Sequence, residues 1–257
     1  MKWTERLTLR AFSIGALLTL LILWCFLTYG HVLDTMFLPT PTAVIKAIIS
    51  MAKAGTLWTH IGSSVRRIMV GWAWSAVVAV PCGMLMAVSK KFNAVIQPLV
   101  EFIRYLPVVA LVPLTILYMG IEEKQKYTII FIGTFFQLVL MVADTVAGTD
   151  KNLLNAARTL GASKWQIYKW VILPASMPGI MDSFRVTIGW AWTYLVAAEM
   201  VAANSGLGYI IIKSQRVLAT DVIFAGLLMI GIIGLLTDIL FRLLSRLITP
   251  WYERLSV

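Results

Sequence analysis

Charged residues, cysteines and histidines are all scarce in this chain. Asp, Glu, Lys and Arg together make up 13% of its 257 residues, about half the share that a soluble domain carries. Cys25 and Cys82 both lie within apolar runs, so we interpret them as packing residues rather than as a disulfide or a metal pair. His31 and His60 are too few and too isolated for a metal site. The sequence therefore predicts no cofactor or metal bound by this chain.

Apolar residues are abundant instead. They make up 60% of the chain, and the mean hydropathy is +0.85. Water cannot solvate so apolar a surface, so we expect the chain to lie in a lipid bilayer. A formal net charge of +10 would suggest nucleic acid in a soluble protein. Here the basic residues lie at the ends of apolar segments, where they set orientation and meet anionic lipid, so we expect no nucleic-acid partner.

Six stretches reach the length of about 20 mainly apolar residues that a helix needs to cross a membrane. They predict an all-α, polytopic membrane protein with six transmembrane helices. A cleaved signal peptide is the alternative for the first stretch, but its apolar core is long and no clean cleavage site follows, so we interpret it as a retained span. The third stretch contains three prolines, Pro98, Pro107 and Pro113, which favour kinks. The six stretches are Ala11–Tyr29, Ile68–Val88, Ala94–Tyr118, Tyr127–Ala147, Ala175–Ala203 and Val222–Ile248.

The distribution of basic residues favours cytoplasmic termini. With six spans, both termini lie on one side, and basic residues are enriched on the cytoplasmic side of a membrane. Cytoplasmic termini place twelve basic residues inside: Lys2, Arg6, Arg10, Lys90, Lys91, Lys151, Arg158, Lys164, Lys169, Arg242, Arg246 and Arg254. The opposite side then carries eight: Lys46, Lys53, Arg66, Arg67, Lys124, Lys126, Lys213 and Arg216.

Two further patterns concern helix packing. Thr40 followed by Pro41 is a favourable helix start and predicts a short helix before the second span, lying either on the membrane surface or against other spans. The second span carries small residues four apart, which allow close approach of a neighbouring helix. Packing within the chain is the simpler interpretation, and a subunit interface or a wall of the transport path is the alternative. These residues are Gly71, Ser75, Ala79, Gly83 and Ala87.

The segment Asp150–Pro174, between the fourth and fifth spans, is polar and longer than a minimal turn. Asp150 is a candidate helix N-cap, and Gly161 is suited to the left-handed conformation that ends a helix. Ser163 with Gln166 three residues later predicts a capping box, and Pro174 marks the entry to the next span. We therefore expect two short helices, joined at a glycine, that project from the cytoplasmic face.

This segment resembles the cytoplasmic signature of binding-protein-dependent ABC importer permeases. That signature is Glu-Ala-Ala, three residues, Gly, nine residues, then Ile-x-Leu-Pro. The chain keeps the spacing and departs at Asn155, which replaces Glu and removes a carboxylate, and at Val171, which replaces Ile. The residues that the resemblance assigns to coupling with an ATPase are Asn155, Ala156, Ala157, Gly161, Ala162, Val171, Leu173 and Pro174.

Several other segments look like the nitrate/sulfonate/taurine (bicarbonate) branch of these permeases. They are Leu38–Pro41, Arg104–Pro113, Leu195–Glu199, Gly206–Gly208 and Thr249–Trp251. The resemblance implies a single permease domain over residues 1–257 with the type I ABC importer fold, in a bacterial inner membrane. It also implies a homodimer docked on an ABC ATPase dimer, fed by an extracytoplasmic solute-binding protein, that imports a small anionic solute such as a sulfonate, taurine, nitrate or bicarbonate.

The chain contains no phosphate-binding loop of the Gly-x-x-x-x-Gly-Lys-Ser/Thr type. We therefore expect ATP and Mg²⁺ on the partner ATPase and no enzymatic activity in this chain. A passive six-span channel is one rival, but it would not need a projecting two-helix loop. A membrane-embedded enzyme is disfavoured because no constellation of catalytic groups is evident. The third rival is an ABC permease for another class of solute.

Ionisable groups within predicted spans mark either a transport path or a buried ion pair. As candidates for the translocation path we take Arg104, Arg185, Trp190 and Glu199. Arg104 would either attract an anion or neutralise Glu199 or another carboxylate. Arg185 lies three residues after Asp182, so a local ion pair is the simpler interpretation. Trp190, with Trp192 and Tyr194, lines a path or packs between helices, and Asn204–Tyr209 is expected to form a turn at the outer mouth.

Overall fold

The computed structural model describes residues 3–252, with the side chains of residues 3–11, 13 and 202 outside the description. Lys2 and Arg254, which entered the orientation argument, lie outside the described residues. Residues 3–252 contain helices and no strand, which confirms the all-α fold class. The helices are α1 (Trp3–Tyr29), α2 (Pro41–Lys53), α3 (Thr56–Val88), α4 (Lys90–Arg104), α5 (Val112–Met119), α6 (Glu123–Ala147), α7 (Lys151–Thr159), α8 (Lys164–Ile167), α9 (Leu173–Ala202), α10 (Leu207–Gln215) and α11 (Thr220–Ile248).

Five of the six predicted stretches lie on one helix each, apart from Ala203 at the end of the fifth, and the third is interrupted at residues 105–107. Among the described residues α3, α6 and α11 are long and apolar enough to cross a membrane, and the apolar part of α1, Ile14–Tyr29, is shorter. The kink predicted in the third stretch is a sharp break, because α4 and the segment Val108–Met119 meet at an angle of 89°. Pro107 lies at this break and lacks the N–H that a continuous helix would use.

Helix α3 begins at Thr56, twelve residues before the predicted start of the second span. The helix therefore includes Arg66 and Arg67, which the sequence had placed in an outer loop. Arg67 is 1% exposed. A basic residue assigned to solvent thus lies in the interior, and its partners form part of the site described below.

The small-residue ridge of α3 packs against α6 within the chain. A Cβ atom on Gly71 would lie 2.8 Å from Ile130 Cβ, and one on Gly83 would lie 2.6 Å from the Val139 carbonyl oxygen. Neither position tolerates a side chain at the observed helix separation. The simpler interpretation of the ridge is confirmed, and α3, α6 and α9 enclose the main apolar core.

Helix α2 packs against the other helices instead of lying free on a surface. Thr40 caps it as expected, accepting a hydrogen bond from the Ala43 N–H at 3.2 Å. Val44 and Ala47 are buried against Ala225 of α11, with Trp24 of α1 alongside. Burial of this apolar face decides between the two positions that the sequence left open.

Candidate functional site

Helix α7 is capped at both ends by the residues that the sequence singled out. The Asp150 carboxylate accepts a hydrogen bond from the Asn152 N–H at 2.8 Å. At the other end Gly161 has φ of 78°, and the N–H groups of Gly161 and Ala162 donate to the carbonyls of Arg158 and Ala157 at 2.9 and 3.0 Å. This pair of bonds is a Schellman motif, which only a residue tolerant of the left-handed region accepts without strain.

Helix α8 starts with the expected capping box. Ser163 N–H donates to Gln166 Oε1 at 2.7 Å, and Gln166 N–H donates to Ser163 Oγ at 3.3 Å. The expectation of a separate second helix is wrong, however, because α8 continues through a π-helical turn, Tyr168–Ile172, into α9. Pro174 follows this π-helical turn directly, and its missing N–H removes one backbone donor at the place where the hydrogen-bond pattern changes. The loop is therefore joined rigidly to a long helix.

Helix α7 lies exposed on the outside of the chain. None of its residues is buried, and Leu160, directly after it, is 86% exposed. Asn155, in place of the signature Glu, is exposed, and its Oδ1 lies 3.4 Å from the Arg158 guanidinium. Behind the loop, the Tyr168 hydroxyl donates to Met84 Sδ of α3 at 3.3 Å. An exposed apolar residue on a rigid, capped loop is suited to contact with another protein.

A polar cleft of about 300 Å³ runs between α4 and α6. On α4 the Asn93 amide donates to Gln97 at 2.7 Å, and the Gln97 amide donates to Glu101 at 2.8 Å. These side chains are four residues apart, so they form one polar face of the helix. Six polar or charged residues line the cleft: Asn93, Gln97, Glu101, Arg104, Gln137 and Asp144.

A smaller cavity of about 40 Å³ adjoins the cleft and shares Arg104 and Gln137 with it. Trp190 and Tyr194 of α9 line this cavity. Gly133 of α6 leaves space for the Tyr194 ring, which any Cβ at that position would strike. The fold thus brings together two of the predicted path residues, Arg104 and Trp190, whereas Trp192 on the other face of α9 is buried in the core.

The other two path candidates lie elsewhere. Arg185 forms an ion pair with Asp238 of α11, and Arg242 reaches the same carboxylate at 2.7 Å. This partner on another helix is not visible in local sequence spacing, which pointed to Asp182. Glu199 is 1% exposed and pairs with Arg67 at 2.8 Å. The suggestion that Arg104 neutralises Glu199 is therefore wrong.

Arg67 forms the centre of a buried polar cluster joining three helices. Its guanidinium donates to Glu199 of α9 at 2.8 Å and to Glu123 of α6 at 2.8 and 2.5 Å. It also donates to the Ser205 carbonyl at 2.5 Å. Ser64, one turn earlier on α3, donates to the Glu199 carboxylate at 2.8 Å. Full use of the donors and acceptors is what makes a buried ion pair tolerable.

The same cluster fixes the turn between α9 and α10. Gly208 N–H donates to Glu199 Oε2 at 2.8 Å, and Gly206 N–H donates to His60 Nδ1 at 3.0 Å. Gly206 has φ of 123°, and a Cβ there would strike the Glu199 carboxylate. The predicted turn over Asn204–Tyr209 is thus shorter than expected, because α10 begins at Leu207.

Sequence reasoning missed Arg67, although a signal was present. Arg67 lies four residues before Gly71 and continues the buried small-residue ridge backwards along α3. A charged residue in register with a buried face requires an acidic partner. The helical spacing of Arg67 relative to Gly71 therefore indicates a buried ion pair. The prediction missed it because the span was taken to start at Ile68, one residue after Arg67.

These features together define a membrane-embedded transport subunit with the type I ABC importer permease fold. A chain of the MetNI methionine ABC transporter in an inward-facing conformation shares this fold, with a TM-score of 0.68 over 76% of this chain and 96% of that chain at 22% identity. The chain belongs to the family described as binding-protein-dependent transport system inner membrane component, which matches residues 79–251.

Two relatives with assigned solutes are similar over most of their length. The taurine transport system permease protein TauC of Escherichia coli (strain K12) is 33% identical over 98% of this chain and 94% of its own. The nitrate import permease protein NrtB of a Synechocystis strain is 28% identical over 91% of this chain and 88% of its own. The chain is accordingly an ABC permease subunit, and membership of this family implies an ATPase partner and a binding protein.

Proposed function

We propose that residues 1–257 form one permease domain that pairs with a second copy to make the import path for a small solute carrying an anionic group. A sulfonate, taurine, nitrate or bicarbonate fits this description, and relatives named for taurine and nitrate support it. Both termini face the cytoplasm of a bacterial cell, and an extracytoplasmic binding protein delivers the solute. ATP with Mg²⁺ binds the partner ATPase, so this chain contributes the path and the coupling surface but no hydrolysis.

The projecting loop is the observation that carries this proposal. Helix α7 is capped at Asp150 and Gly161, exposes all its residues to some degree, and presents Leu160 beside its end. Because α8 continues into α9, the loop is connected by continuous helix to the proposed path. Helix α9 carries Trp190 and Tyr194, which line the smaller cavity. Closure of two ATPase subunits would move the loop and α9 together. A passive channel would not need such a rigid connection between a partner-facing loop and the path.

Replacement of Leu160 by Asp tests the docking surface. We expect loss of ATPase co-purification and of ATP-driven uptake, because a carboxylate would be placed in the centre of an apolar contact. Val217→Asp is the matched control, since Val217 is 73% exposed but lies in the segment after α10, away from the loop. Normal ATPase docking by the Leu160 variant would refute the proposed coupling surface.

Arg104 is proposed to attract the anionic group of the solute, and Arg104→Gln tests this role. We expect a raised KM for uptake with normal ATPase co-purification, since the guanidinium lies in the cleft and not at the loop. Arg246→Gln, at the exposed end of α11, is the control for loss of one positive charge. Unchanged affinity and rate in the Arg104 variant would remove the anion-path role.

A further inference from the structure

Three charged side chains in the α4/α6 cleft differ from those that pair between helices. Arg67, Glu199, Arg185 and Asp238 all form ion pairs. Glu101, Arg104 and Asp144 line the cleft, and none of them forms an ion pair with another described residue. Unpaired charges are costly within membrane helices and are kept where a ligand or water meets them.

Glu101 and Arg104 are held by neutral neighbours rather than by each other. Glu101 accepts a hydrogen bond from the Gln97 amide at 2.8 Å. The Arg104 guanidinium donates to the Tyr105 hydroxyl at 3.0 Å and lies 4.8 Å from the centre of that ring. Three residues of helix separate their backbones by roughly 4.5 Å along the axis. The two residues therefore lie about one turn apart on α4, and both line the cleft.

The cleft also carries more negative than positive charge. Glu101 and Asp144 contribute two carboxylates and Arg104 contributes one guanidinium, so the formal charge of these three groups is −1. An anion without a positive group would meet Arg104 favourably but would be repelled by both carboxylates. A solute that carries an ammonium as well as an acidic group would find a partner for each charge.

We propose that this cleft is a transit site for a small zwitterion, with the ammonium group at Glu101 and Asp144 and the acidic group at Arg104. The inference rests on the proposed function, because it treats the cleft as part of the import path. The inference restricts the solute class from any small anion to a small molecule whose ammonium and acidic groups are joined by a short chain. Simple anions such as nitrate or an unsubstituted alkanesulfonate do not fit both charges.

Thiol labelling of Met141→Cys measures the charge preference of the cleft directly. Met141 lines the cleft without forming any of its hydrogen bonds, and Cys25→Ala with Cys82→Ala removes the native thiols. The permease–ATPase complex in lipid nanodiscs would be treated with ethylammonium and ethylsulfonate methanethiosulfonates. After correction for intrinsic reactivity, we expect the cationic reagent to react roughly fivefold to tenfold faster. Glu101→Gln should reduce that ratio, whereas Glu122→Gln outside the cleft should not.

Protection from labelling measures ligand choice. We expect 2-aminoethanesulfonate at high concentration to slow labelling of Met141→Cys severalfold, and ethanesulfonate or ethylammonium alone to have little effect. Val217→Cys, on the exposed segment after α10, is the control, where no compound should protect. Equal protection by ethanesulfonate would overturn the proposal in favour of a simple anion site. Absence of labelling in every nucleotide state would overturn it because the cleft would be closed in the complex.

Uptake by a double variant tests whether the two charges simply pair with each other across two copies of the chain. If Glu101→Gln returned the raised KM of Arg104→Gln to the parent value, the residues would be an ion pair and the zwitterion site would be refuted. We expect no restoration. Failure of this inference is distinguishable from failure of the proposed function, because ATPase co-purification and ATP-driven uptake by the Cys25→Ala/Cys82→Ala protein, which is unaltered in the cleft, report on the latter alone.

Discussion

Replacing Arg67 by methionine removes the cation from the buried cluster while keeping most of the side-chain volume. Glu199 would remain without its ion-pair partner, with a side chain that has no exposed surface. Its remaining donors are the Ser64 hydroxyl and the Gly208 N–H. An uncompensated buried carboxylate is a far larger perturbation than the loss of one surface charge.

The structure sets the magnitude of this effect. Breaking a buried pair by removing one partner costs about 3–5 kcal/mol. Loss of the contact to Glu123 adds little, because 37% of that side chain is exposed and water compensates it. The neighbouring Arg66 provides a matched control, since it is 61% exposed and reaches Glu123 at 3.5 Å. We expect Arg66→Met to cost less than about 1 kcal/mol.

Thermal unfolding of the purified protein in one mild detergent would measure the difference. For a chain of this size each kcal/mol corresponds to about 2–4 °C, so we expect Arg67→Met to lower the Tm by about 6–20 °C. The variant should also lose order in the turn before α10, because Ser205 loses two of its hydrogen bonds. Proteolysis within residues 203–206 would report that loss.

A double variant separates charge from packing. Glu199→Gln in the Arg67→Met background removes the orphaned carboxylate and should recover more than half of the lost stability. Equal Tm values for Arg66→Met and Arg67→Met would refute the reasoning. So would a double variant less stable than Arg67→Met, because the cost would then arise from packing alone.

Three further outcomes follow from local geometry. Gly161→Ala places a Cβ on a residue with φ of 78°, so it should lower the free energy of unfolding by roughly 1–2 kcal/mol and weaken ATPase co-purification. Gly189→Ala, with open space around it, should leave protein stability unchanged or raise it. Equal effects of the two substitutions would contradict the loop geometry. Gly133→Ala strikes the Tyr194 ring and should destabilise by about 1–3 kcal/mol in a Tm assay; no change would show that the ring can move freely. Asn155→Glu should leave the free energy of unfolding within about 0.5 kcal/mol of the parent value, because the site is exposed, and any effect should appear in ATP-driven uptake.

The projecting loop was predictable because its structure is local. Asp150, Gly161, Ser163 and Gln166 act through hydrogen bonds within a few residues, so side-chain chemistry and spacing determine them. The continuity of α8 with α9 was not predictable in the same way. Pro174 is compatible with a helix start and with a helix that has already begun, and packing of Tyr168 against α3 favours the second.

The cleft was only partly predictable. Arg104 and Trp190 stood out as polar and aromatic residues in apolar stretches, but nothing in the chain indicated that they share a cavity. The polar face of α4, with Gln97 and Glu101 at helical spacing, was present in the sequence and was obscured by treating Ala94–Tyr118 as one span. Its position along the cleft became evident once the 89° break separated α4 from the following segment.

Composition and local chemistry by themselves determined that the chain is helical, lies in a membrane and carries a capped, exposed loop. The free energy of removing apolar surface from water is a sum over residues, and a cap acts within one helical turn. Tertiary structure alone decided which charges pair. Arg67 meets Glu199 across 132 positions of sequence, and the strength of that pair depends on burial and on distance through space. The same packing leaves Glu101, Arg104 and Asp144 facing the cleft, so only the fold distinguishes charges that pair between helices from charges that line a cavity.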